Sequence, residues 1–242
     1  MRDKRGVVVL LLALAGAGVD ATFIMGFNVL SAAQTGNTIL LAVALARGDA
    51  VVGLSAAISV VAFVGGAAAA AWVIAWVSSK GHAGKAPTAA LALEVLLIAS
   101  ALVLWRLSGT NVPGAVANVL VALAAFSMGI QSAVVLILHT PTTTYVTGML
   151  TSFTAGMTQQ ILARKTPRAT IDPTASRNGW IWAAYLASAI VSGMIFLHIR
   201  ELALLLPLTA LIGAMLLRPE PAEWQNISHC PQASPRGTKA HL

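Results

Sequence analysis

Charge is what this sequence has least of. Only 10% of its 242 residues are Asp, Glu, Lys or Arg, whereas a soluble domain carries about 25%. An ordinary water-soluble enzyme or nucleic-acid-binding domain is excluded on that ground, although the isoelectric point near 10.3 would otherwise invite the second reading. The one cysteine, Cys230, leaves neither a disulfide framework nor a cysteine-based metal site. Walker and dinucleotide fingerprints are also missing, which argues against a nucleotide-driven pump. No cofactor, metal or nucleic-acid partner is expected.

What is present is apolar surface: 57% hydrophobic residues and a mean hydropathy of +0.82. Long apolar runs occupy residues 7–27, 51–77, 87–105, 114–138, 180–197 and 202–217. A crossing needs about 20 residues, so an all-α polytopic membrane protein with six full spans is expected. Two shorter apolar pieces, 38–46 and 146–163, follow the polar, helix-breaking stretches 31–37 and 140–144, and read as broken or re-entrant half-helices. Trp72, Trp76, Trp105, Trp180 and Trp182 fall near span ends, where an indole sits at headgroup level. Gly65, Gly66 and the alanine run 67–71 read as a close helix contact.

Six spans put 12 of the 15 Lys and Arg residues inside and leave Arg47, Arg106 and Arg200 outside, with both termini cytoplasmic. Eight spans score the same, so segment length decides for six. The basic start and Ala15-Gly16-Ala17 resemble a signal peptide, but the apolar spans that follow favour an uncleaved first span. The expected organisation is a cytoplasmic N-terminus (1–6), a first membrane repeat (7–107), a linker (108–113), a second membrane repeat (114–217) and a polar, disordered cytoplasmic tail (218–242).

The repeat is argued from order. Gly18-Val19-Asp20-Ala21 followed by Thr35-Gly36 parallels Gly129-Ile130-Gln131-Ser132 followed by Thr147-Gly148. Three spans per half would give the copies opposite orientation, a 3+3 inverted repeat with interrupted helices of the kind transporters use. These motifs, with Thr35-Gly36-Asn37-Thr38 and Thr144-Tyr145-Val146-Thr147-Gly148-Met149-Leu150-Thr151, resemble the signatures of the YoaK-like membrane proteins, a bacterial family of unknown function of the DUF1275 type. The likeness extends over roughly residues 5 to 217, and departs from the family's usual Gln-Asn-Ala at Gln131-Ser132-Ala133. It implies a bacterial cytoplasmic-membrane protein and supplies no reaction.

Chemistry is sought where polarity is expensive. A charged Asp at the centre of a span costs about 2.5–3.5 kcal/mol by insertion, so Asp20 and a second acid, Glu94, must be protonated, cation-bound or facing a wet cavity. Half-helix starts at Thr35, Gly36 and Asn37, and at Thr147 and Gly148, offer free N–H groups to an anion or carbonyl. Gln131 and Tyr145 bring large polar groups that need partners in the membrane. Asn28, Gln34, Asn118 and His139 are further candidates for the same cavity. The expectation is a small-solute transporter or channel, proton- or cation-coupled through Asp20, with the lipid bilayer, the solute and a second copy of the chain as partners. Its rivals are a non-transporting scaffold or sensor, in which Asp20 is a structural latch, and an intramembrane hydrolase using Ser132 with His139 or His198.

Overall fold

A backbone in lipid must satisfy its own hydrogen bonds, and the apolar runs do so as helices. The computed structural model describes residues 4–109, 111–137, 146–163 and 173–217. They form α1 (Lys4–Phe27), α2 (Gln34–Arg47), α3 (Ala50–Ser79), α4 (Ala86–Ser108), α5 (Gly114–Ile137), α6 (Val146–Ala163), α7 (Pro173–His198) and α8 (Leu205–Leu216), with 3-10 turns at Ala83–Lys85 and Arg200–Leu204. Tyr145, His139, the stretch 140–144 and the tail 218–242 lie outside the described residues. Among those described, five helices are long and apolar enough to cross a membrane: α1, α3, α4 with the turn before it, α5 and α7.

The sixth span expected at 202–217 is built otherwise. Its helical part, α8, has 12 residues, about 18 Å, and is too short to cross alone. Pro207 explains the late start, because an α-helix reaching further back would need a Pro207 N–H to bond the carbonyl of Ala203. The expected half-helix at 38–46 is longer, running from Gln34 to Arg47. It stops where Gly48 takes the left-handed conformation (φ 70°) and its N–H returns to the last turn. Asp49 then caps α3, accepting from the Val52 N–H at 3.1 Å.

Side-chain contacts give each helix a direction. α1 and α7 are parallel: Ser188 donates to the Leu14 carbonyl at 2.6 Å, and Gly26 faces Phe196. α3 and α5 are parallel to each other, with Ser55 bonded to Asn118 at 3.2 Å and Gly66 against Phe126. The second pair opposes the first, because Phe27 at the end of α1 shares a cavity with Ala117 at the start of α5, while Gln131, late in α5, donates to Leu12, early in α1. α2 runs antiparallel to α3, from Asn37 beside Ser59 to Ala44 beside Gly53. α6 runs antiparallel to α7, with Ser152 on Asn178 and Gly156 on Ala175. α8 descends along α1, Pro207 meeting Gly18 and Gly213 meeting Leu11.

The tightest contact joins α3 and α5. A β-carbon at Gly66 would overlap the Phe126 carbonyl oxygen, and one at Gly129 the Phe63 carbonyl oxygen. Small residues here let two backbones touch, as the Gly65-Gly66 signal implies. Trp72 and Trp76 are exposed and stacked, with centroids 6.4 Å apart, and Trp180 is also exposed. Trp105 departs from the expected interfacial role: it is 3% exposed and packs on Phe23, Phe27 and Phe196 with centroids 4.8 to 6.1 Å away. Its position at a helix end holds, but the ends of α1 and α7 close around it.

Candidate functional site

Between α1 and α2 the chain leaves helical geometry at Asn28, which adopts a positive φ of 57°. Asn tolerates this conformation better than most residues with a β-carbon. Residues 28–33 thus expose backbone groups inside an apolar protein, where each unpaired one costs about 1–3 kcal/mol. Side chains from α1, α2 and α3 satisfy them, and Tyr185 of α7 supports one of these.

Asp20, one to two turns before the end of α1, is 4% exposed. Its Oδ1 accepts from the N–H groups of Ser31 (2.7 Å) and Ala32 (2.6 Å), and its Oδ2 from Ala33 N–H (3.2 Å) and the Tyr185 hydroxyl (3.2 Å). Four donors on two oxygens match an acceptor-only carboxylate. Three successive N–H groups before a helix form an anion-binding nest, and here the protein's own acid fills it.

Asn37 holds the next peptide, accepting from Leu30 N–H at 2.9 Å and donating to the Leu30 carbonyl, to Gln34 Oε1 (3.0 Å) and to Ser59 Oγ (2.8 Å). Ser59 also donates to the Leu30 carbonyl at 2.8 Å, and Gln34 Nε2 to that of Ser31 at 2.7 Å. Gly36 lies against the Leu30 side chain, and Thr35 is exposed. Asn37→Asp, which replaces the donor amide by a second acceptor, is expected to lower stability by about 2 kcal/mol, read as a fall in melting temperature in detergent. An unchanged melting temperature would show that Asn37 does not hold the break.

The other expected site residues are placed elsewhere. Gln131 is buried on α5 and donates to the Leu12 carbonyl at 2.9 Å. Leu12 lies eight residues before Asp20, about 12 Å along α1. Thr147 and Gly148 open α6, beside Met149, which packs on Val9 and Ala13 of α1 and Ile181 of α7. Thr147 is exposed, and its carbonyl accepts from Thr151 Oγ. The two half-helix starts therefore flank the middle of α1 from either side. Asn118 serves the α3–α5 contact and not the break.

Glu94 differs from all of these. It is fully buried on α4, and neither carboxylate oxygen has a hydrogen-bond partner among the described residues. Trp105, eleven residues further on, packs on Phe23 and Phe27, so Glu94 lies about 16 Å from that end, near mid-helix.

Sequence reasoning missed Tyr185 and Ser59, the cross-chain partners of the break. Each is a lone polar residue inside an apolar run, and that was the only signal available. The hydrolase pair is not assembled from Ser132 and His198. His198 follows Phe196, which faces Gly26, whereas Ser132 adjoins Gln131 at the level of Leu12, about 21 Å away along α1. His139 lies outside the described residues. Among the described residues no three of His, Cys, Asp and Glu gather into a metal-ligand set. Glu201 pairs with Arg106 at 2.5 Å.

No curated protein and no solved structure matches the chain. A family model described as a protein of unknown function, DUF1275, matches residues 8–217. With its membrane-type helices and its break sealed from within, the chain belongs to the DUF1275 family.

Proposed function

We propose that the chain is a small-solute transporter or channel built as a 3+3 inverted repeat, with Glu94 as the group that takes up and releases a proton or cation. The observation that carries this is the wholly buried Glu94 carboxyl, which has no hydrogen-bond partner on either oxygen among the described residues. Ionisable residues inside membrane domains are rare and mark ion or proton pathways, and no hydrogen bond among the described residues gives this acid a structural task. Asp20 has one, so coupling moves from Asp20 to Glu94. In this reading Asn37, Thr35 and Gly36 shape the break, while Gln131, Thr147 and Gly148 serve the solute path; Tyr145, expected with them from the sequence, lies outside the described residues.

The packing pattern supports the repeat. The α1–α7 pair has an oppositely directed counterpart in α5–α3, α2 on α3 corresponds to α6 on α7, and α8 on α1 corresponds to α4 on α5. At an offset of 120 residues, Pro87, Ala90 and Leu91 of α4 match Pro207, Ala210 and Leu211 of α8, all of them buried. The position matching Glu94 is Ala214, so the acid belongs to one half only. α2 returns toward the end where α1 finishes, which favours a re-entrant segment. The turn Arg200–Leu204 together with α8 covers about 28 Å, enough for a composite sixth crossing. Both termini are then cytoplasmic.

The test is reconstitution into liposomes holding a pH-sensitive dye, under a potassium diffusion potential, with pools of amino acids, nucleobases, sugars and organic acids added outside. Wild type is expected to move protons with at least one pool, and Glu94→Gln to lose that flux while keeping its melting temperature. Equal flux in both proteins, or none from wild type with any pool, defeats the proposal. The scaffold reading draws on the saturated Asp20 latch and gains if no pool elicits flux.

A further inference from the structure

Basic side chains collect at one end of the bundle. α1, α4 and α7 start there and α3 finishes there, so Lys4, Lys80, Lys85 and Arg177 share that end, all of them exposed. None is ion-paired with an acid among the described residues. The four acids described lie elsewhere: Asp20 and Glu94 are buried within the helices, while Asp49 and Glu201 stand at the opposite end, where α3 begins and α4 finishes.

The end of α3 gives this charge a shape. Trp72, Trp76 and Lys80 follow one another at intervals of four residues and so line one face of the helix. The two indoles are 67% and 53% exposed and stack with centroids 6.4 Å apart, and Trp76 stands about 6 Å from Lys80 along the axis. Lys80 closes α3, and the turn after it brings Lys85 to the head of α4. The helix end is not left negative: Ser79 Oγ donates to the Trp76 carbonyl at 2.7 Å, and the N–H groups of His82 and Gly81 take the carbonyls of Val77 and Ser78 at 3.2 and 3.0 Å. α4 adds the positive end of a 23-residue helix, with no side-chain cap.

We propose that the Trp72, Trp76 and Lys80 face, together with Lys85, is a docking surface for an anionic phospholipid of the bilayer. The phosphate lies against the two ammonium groups, and the glycerol and upper acyl chain lie along the indoles, which sit at headgroup depth. Charge complementarity selects the lipid: a choline headgroup carries its own cation toward the lysines, whereas an anionic headgroup brings none. The surface stands whether or not the protein transports.

The test is quenching of indole fluorescence by brominated lipid, with the full chain in phosphatidylcholine vesicles that carry a fixed minor fraction of brominated phosphatidylglycerol or of brominated phosphatidylcholine. The brominated phosphatidylglycerol is expected to quench more strongly. Lys80→Gln and Lys85→Gln, at exposed positions that tolerate substitution, should each lower this preference about fivefold, while Lys80→Arg and Lys85→Arg should keep it. Trp72→Phe combined with Trp76→Phe should remove the excess quenching. The proposal falls if the two lipids quench alike, if the glutamine variants keep the wild-type preference, or if the excess survives without the two indoles. It falls also if neither lipid quenches wild type more than the doubly substituted protein, since the face is then covered by protein such as a second copy.

Discussion

Asp20→Asn is expected to destabilise the folded protein by several kcal/mol, on the order of 4. The carboxylate answers three backbone N–H groups and a tyrosine hydroxyl. An asparagine offers one oxygen, and its amide would turn two hydrogens toward donors that have nothing to give them. Hydrogen bonds to a charged acceptor contribute about 1.5–3 kcal/mol each, and an abandoned buried donor costs about 1–3. The separate losses overlap, so the total lies below their sum. Tyr185→Phe removes one donor and leaves the nest filled, so its cost should be close to 1 kcal/mol. Thermal denaturation in detergent reads both. The ordering matters most: a melting temperature for Asp20→Asn at or above that of Tyr185→Phe would mean that the carboxylate does not hold the break.

Gly66→Ala is the second large effect, and its sign is informative. Inside a helix, Gly→Ala ordinarily stabilises by about 1 kcal/mol. Here the new methyl would overlap the backbone carbonyl of Phe126, which cannot rotate away as a side chain could. α3 and α5 must separate, and overpacking of that kind costs about 1–3 kcal/mol, occasionally more. A net loss of about 1–2 kcal/mol follows once the propensity gain is subtracted from the upper part of that range, as a clash with backbone warrants. Gly65 is the control. Its β-carbon would meet only the Phe126 ring, at 3.4 Å, so Gly65→Ala should be neutral or slightly stabilising. If both substitutions behave alike in a melting experiment, the backbones of α3 and α5 are not in contact.

The two predictions draw on different kinds of legibility. The Gly65-Gly66 pair and the alanines after it announce a close helix contact in the sequence, because only small residues allow one. Which of the two glycines faces the partner depends on helix rotation, which composition does not report. The Asp20 case goes further. A buried acid in a first span reads equally as a coupling group or as a latch, and the deciding donors lie 11 to 13 residues ahead, at Ser31, Ala32 and Ala33, and 165 residues away at Tyr185. Glu94 reads the same way in the sequence, yet its oxygens meet no partner among the described residues. Two acids alike in hydropathy profile thus take different roles.

Sequence alone determined the class of the molecule and, to within a few residues, the bounds of α1, α3, α4 and α5, whereas α7 begins at Pro173, ahead of its apolar run, and α2 at Gln34, inside the expected break. What it determined follows from properties that act locally: the cost of charge in lipid, the reach of about 1.5 Å per residue, and the breaking of helices at polar, Gly- and Pro-bearing stretches. Tertiary structure decided the direction of α2, the enclosure of Trp105 by the ends of α1 and α7, the shortening of the last span and the choice of which acid is satisfied. Each of these depends on how helices rotate and slide against one another, so that side chains far apart in the chain meet. That register is set by the summed packing of many small contacts, and no single stretch of residues encodes it.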